Sequence, residues 1–165
     1  MTELKPLPPS AVESALEKAR HYRLLNEPAE AESICRDILE IEPQHPGALV
    51  TLVLALSDQL EETPSAFEIA RRLIPQLAAE YDRAYYEGIL YERRAKALLG
   101  GHGPGSGPLA FQCLQEALAR FERARALAPP ENPDAILRWN TCVRLIAKRR
   151  DLRPPHADAF HPLLE

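Results

Sequence analysis

Proline sets the strongest constraint on how this chain folds. Its ring fixes φ and removes a backbone donor, so it suits the first turn of a helix and disrupts the interior. Pro28, Pro46, Pro64, Pro108 and Pro133 each open a stretch whose apolar residues recur every three or four positions, the period of a helix with a buried face. Ala15, Ala19, Tyr22 and Leu25 or Asn26 mark a first helix, and Ala31, Ile34, Cys35, Ile38 and Ile41 a second. The third, 46–58, is apolar almost all round through Leu49, Val50, Leu52, Val53, Leu54 and Leu56, as a helix with neighbours on several sides must be. The fourth runs from Pro64 through Phe67, Ala70 and Leu73 until Pro75 ends or kinks it. Three more follow at 82–99, 109–127 and 133–150. Thr63 and Asn132 are placed as N-caps, and Ser10 with Glu13 has capping-box spacing. No segment alternates with strand period, so the fold class is all-α.

Five of the seven glycines fall within 100–107, which predicts a flexible loop over 100–108 between helices five and six. That loop lacks the lysine of a P-loop and follows a helix instead of a strand, so it does not read as a phosphate cradle. The chain thus divides into a proline-rich arm (1–10), a helical domain (11–150) and a tail (151–165). In the tail Pro154, Pro155 and Pro162 oppose helix, while Phe160, Leu163 and Leu164 supply apolar surface.

Composition narrows the partners. With 20 Lys and Arg against 24 Asp and Glu, the net charge of −4 argues against a protein that coats a polyanion. The run Lys148, Arg149 and Arg150, with Arg144 and Arg153 nearby, is explained by cations favouring a helix C-terminus. The longest apolar run, 49–56, is far short of a membrane span, and residues 1–10 carry no signal-peptide core, so a cytoplasmic location is expected. Cys35, Cys113 and Cys142 are odd in number and lie within helical patterns, as buried thiols do. His156, Asp158 and His161 offer metal-binding atoms but sit among prolines with no helix to orient them. No nucleophile motif is present, and the expectation is a chain without catalytic residues, metal or cofactor.

A repeat emerges when helix pairs are compared. Ala117, Phe121, Ala124 and Pro129 share their spacing with Ala31, Cys35, Ile38 and Pro43. Ala19 with Tyr22 and Gly88 with Tyr91 form a second shared pattern, a small residue followed three positions later by an aromatic. The middle unit is degenerate, with Val53 and Leu56 followed by Phe67, Ala70 and Pro75. These spacings resemble the tetratricopeptide repeat over about 12–150, whose helices touch through small residues and whose units begin after a proline. The resemblance implies a right-handed solenoid of three antiparallel helix pairs, of the small bacterial type. A seventh helix would cap it through an inward stripe of Trp139, Cys142, Val143 and Ile146.

In that family the first helix of each pair lines a concave peptide groove. Carried over by helical phase, the groove takes Arg20, Arg23 and Leu24, then Val50 and Leu54, then Tyr85, Ile89 and Arg93, and finally Asn140 and Arg144. Arginines beside apolar surface suit an acidic or amphipathic segment. The clamp that chaperone-binding members use for a C-terminal carboxylate is not matched, since Leu16 and Arg20 stand at its positions. The resemblance therefore implies a non-catalytic holder of a protein or peptide. The alternatives are a module that self-associates through helix seven and the tail, and a metal-binding or enzymatic protein.

Overall fold

The computed structural model describes residues 2–101 and 103–152. Seven α-helices account for most of them: α1 (Val12–Leu24), α2 (Pro28–Ile41), α3 (Pro46–Asp58), α4 (Ala66–Leu73), α5 (Glu80–Gly100), α6 (Ser106–Leu127) and α7 (Asp134–Lys148). Among the described residues there is no strand. Short 3₁₀ turns, Pro9–Ala11 and Ile74–Gln76, precede α1 and follow α4.

Each helix packs on the next, α1 on α2 through to α6 on α7, and the odd-numbered helices also touch in succession: α1 with α3, α3 with α5, α5 with α7. Helix α3 holds the most central place, with Ala48, Leu49, Leu52, Val53, Ala55 and Leu56 all buried, as its all-round apolar character predicts. Its N-terminus is closed by a residue the sequence does not flag. His45 Nδ1 accepts from the Ala48 amide at 3.2 Å, directly before Pro46.

The repeated small residues sit where helices cross. Ala19, Ala31 and Cys35 are completely buried in one cluster with Leu56, Phe67 and Ala70. In the α5–α6 pair, Gly88 faces the ring of fully buried Phe121; a Cβ there would stand 2.6 Å from Phe121 Cε1. In the degenerate unit Val53 turns away from Phe67 and joins Leu49, Ile74 and Leu77 in a separate cluster.

Several local expectations are revised. Ser10 lies within the 3₁₀ turn and the N-cap of α1 is Ala11, without a side-chain cap, so the capping box does not form. Helix α4 starts at Ala66, two residues after Pro64, and Thr63 contributes its carbonyl to the Ala66 amide instead of a side-chain cap. Pro75 does end α4, inside the following 3₁₀ turn. The N-cap of α7 is Pro133, without a side-chain cap; Asn132 lies one residue before it, where its Oδ1 accepts from the Asp134 amide at 3.0 Å. The stretch between the two helices is shorter than composition suggests: α5 extends through Gly100 and α6 begins at Ser106, leaving only 101–105 between them. Gly105, at φ 76°, is the left-handed N-cap residue that starts α6.

Helix α1 ends in a complete Schellman motif. Asn26 adopts φ 60°, the Asn26 amide donates to Arg23 O at 3.0 Å and the Glu27 amide to Tyr22 O at 2.9 Å. At the other end of the domain, Leu152 is buried among Leu99, Ala110 and Leu114, and Asp151 O lies where a Cβ on Gly107 would be, 2.6 Å away. The chain after α7 therefore closes back over the start of α6. The proposed tail residues Phe160, Leu163 and Leu164, and the histidines His156 and His161 with Asp158, lie outside the described residues.

Candidate functional site

The contacts among odd-numbered helices create a polar seam of two neighbouring ion-pair groups. At the end of α3, Asp58 holds two arginines from different helices: Arg23 Nε of α1 at 2.7 Å and Arg93 Nη1 of α5 at 2.6 Å. The same Arg93 nitrogen donates to Ser57 Oγ at 2.6 Å and to Leu54 O at 3.2 Å. The Ser57 hydroxyl itself donates to Leu54 O at 2.7 Å. Burial pushes the pKa of Arg93 below the usual guanidinium value, and Asp58 pulls the other way. The carboxylate is what makes it possible to seat that charge between helices.

One helical position away on α5, Glu92 is fully buried. Its Oε1 receives Lys96 Nζ at 2.5 Å, and Arg138 of α7 approaches its two oxygens at 3.4 and 3.5 Å. Burial opposes the charge on Arg138, but Glu92 and the Tyr85 hydroxyl outweigh it and raise its pKa. Tyr85 stacks on Tyr81 with centroids 5.5 Å apart and meets Tyr86 edge-on at 5.3 Å. Beside the seam opens a cleft of about 230 Å³ lined by Ser57, Asp58, Leu60, Arg93 and Lys96. A more apolar groove of about 350 Å³ lies nearby, between Leu60, Pro64, Ala97, Leu98 and Leu109.

Of the residues chosen from the sequence, Arg23, Leu54 and Arg93 converge here through Asp58 and Ser57, and Tyr85 touches the seam at Arg138. Arg20 lies beside the first turn of α3, where its Nη2 would be 3.1 Å from a Cβ on Gly47. Leu24 is exposed at the end of α1, and Val50 is half-buried against Leu49 and Val53. Three positions differ from expectation. Ile89 is 3% exposed within the α5–α6 core, so it presents nothing to a groove. Asn140 and Arg144 lie away from Arg138 around α7, since they follow it by two and six residues, rotations of about 200° and about 240°. It is Arg138 that α7 contributes to the seam. Val143, expected to face inward, is 43% exposed for the same reason, while Cys142 beside it is fully buried.

Sequence reasoning also missed Ser57, Asp58, Glu92 and Lys96. Three of these were accessible to it. Asp58 continues the stripe Val50–Leu54 by another four residues, and Glu92 with Lys96 is a helical i,i+4 pair. Arg138 carried no such signal, because the phase of α7 is decided only by how it docks.

The arrangement can order a surface and neutralise it; its charges are already matched within the fold. Among the described residues no group of three or more His, Cys, Asp or Glu side chains is placed to hold a metal ion. No described helix is long and apolar enough to cross a membrane. Comparisons with protein-family models, curated proteins and solved structures return no match.

Proposed function

We propose that this protein is a non-catalytic binding module that holds a protein or peptide on the face shared by α1, α3, α5 and α7, in the manner of a tetratricopeptide array. The observation that carries the reading is the order of contacts: each odd helix pairs with the helix after it and also touches the next odd helix. Stacked pairs of that kind leave the odd helices side by side as a continuous surface. The close approach of Gly88 to Phe121, and the fully buried Ala19, Ala31 and Cys35, support the same packing at the positions where the repeat pattern needs small residues.

The internal ion pairs alter which groups meet a partner. Arg23 and Arg93 are engaged by Asp58, so they shape the surface instead of reaching out from it. Arg20 makes no ion pair among the described residues, and one turn further on Leu24 is 85% exposed. Together they offer a cation next to bare apolar surface, the pair that an acidic amphipathic helix requires. Capture with the intact chain as bait, compared with an Arg20→Glu/Leu24→Ser variant of unchanged melting temperature, tests the assignment. Loss of the captured protein in the variant is expected; undiminished capture would exclude this face.

A further inference from the structure

Helix α7 is amphipathic on both sides of a sharp divide. Ala135 and Cys142 are buried and Arg138 reaches Glu92, so these residues define its inner face. The opposite face carries Ile136, Leu137 and Val143 at 44%, 58% and 43% exposure, together with exposed Ala147 and half-buried Asn140. These positions follow the three- and four-residue spacing of a single stripe. Each earlier odd helix packs on the helix after it, whereas no described helix follows α7.

We infer that this stripe is an interface for a second copy of the same chain, with the two α7 helices antiparallel about a two-fold axis beside Asn140. Charge selects both the occupant and its direction. Asp134 lies in the first turn of α7 and Lys148 in the last, on the same flank of the stripe. Neither is ion-paired among the described residues. An antiparallel copy places each Asp134 beside Lys148 of the second copy, twice by symmetry, and sets opposite helix-dipole ends together. A parallel copy would put Arg144 against Arg144 and Lys148 against Lys148. The antiparallel register also sets Ile136 against Val143 and Leu137 against the aliphatic stem of Arg144. Asn140 then meets its own equivalent at the axis, where a side-chain amide is its own complement because it both donates and accepts.

This surface is separate from Arg20 and Leu24, so the inference and the peptide-binding reading can each fail alone. Sedimentation equilibrium of the full chain from low micromolar to about 1 mM tests it, alongside Leu137→Asp/Val143→Asp and the charge variants Asp134→Lys, Lys148→Glu and their double. The wild-type chain is expected to reach the mass of two chains. The aspartate variant should weaken association about 100-fold or more at unchanged circular dichroism. Each single charge variant should weaken it by about fivefold, and the double swap should restore it. A wild-type chain that stays monomeric at about 1 mM overturns the proposal, including the case in which residues 153–165 cover the stripe. So does a dimer indifferent to Leu137→Asp/Val143→Asp. Single charge variants that are not rescued by the swap overturn the antiparallel pairing.

Discussion

Replacing Gly88 with alanine separates packing from helix propensity, because the two predict opposite signs. Gly88 lies mid-helix in α5, where alanine is intrinsically better by ~1 kcal/mol. The added methyl carbon, however, would sit 2.6, 2.8 and 3.1 Å from Cε1, Cδ1 and Cζ of Phe121. That ring is completely buried and already packs against Tyr85 with centroids 6.1 Å apart, so it cannot swing aside as an exposed side chain would. Overpacking costs ~1–3 kcal/mol, and contacts this short against a ring with no room to move place it in the upper half of that range, ~2–3 kcal/mol. The net expectation is a loss of ~1–2 kcal/mol, which for a chain of this size lowers the melting temperature by about 2–8 °C. Urea and thermal unfolding of Gly88→Ala provide the measurement, with Gly101→Ala as the control, where the nearest atoms are 3.7 and 3.9 Å from a new Cβ. Phe121→Leu in the same background should recover part of the loss, giving a coupling of ~1 kcal/mol in a double-mutant cycle. If Gly88→Ala is as stable as the parent or more so, the close helix approach argued from this contact is wrong.

Three further outcomes follow from the same structure. Asp58→Ala should destabilise by ~2 kcal/mol in urea unfolding, because Arg93 loses its carboxylate while remaining largely buried, and Asp58→Asn should cost less. Asn26→Val should cost ~1–2 kcal/mol, since a β-branched residue resists the left-handed conformation that closes α1, whereas Asn26→Gly should be neutral or stabilising. Burial pushes the Cys35 and Cys142 thiols from 9.0 up to about 12, with Cys142 also raised by Glu92 and Cys35 partly eased by Arg23 and Arg20. The fold thus favours the protonated thiols, so their contribution is complete below pH 9 and fades as the pH rises toward 12. In a Cys113→Ser background the native Cys35 and Cys142 thiols should react with a disulfide reagent at pH 8 about 1,000-fold more slowly than in urea; comparable rates in the two states would contradict their burial.

The amino-acid sequence by itself determined where the helices lie and, for α2 and α3, which residues turn inward. Those features follow from local rules: Pro46 opens α3 and Pro75 stops α4, while the spacing of Ala31, Cys35 and Ile38 marks the buried side of α2. Burial of Gly88 against Phe121 was likewise foreshadowed, because only a small residue lets two helices approach so closely. Local rules overreached where a nearby partner intervened. The glycines at 100–107 read as a loop, yet both ends of that segment are drawn into α5 and α6, where Gly107 is the residue that lets Asp151 and Leu152 close over the helix start.

The candidate site depended far more on tertiary structure. Arg23, Asp58 and Arg93 are 35 residues apart in each step, and nothing in their separate helical phases says that one carboxylate holds both guanidinium groups. Nor does the periodicity of α7 choose between Arg138 and the pair Asn140 and Arg144, because a helix with apolar residues on two faces can dock either way. Docking settled it by bringing a second cation, beside Lys96, to buried Glu92. A charge inside a fold must be matched across space, and such matching is a property of helix packing that no single helix records.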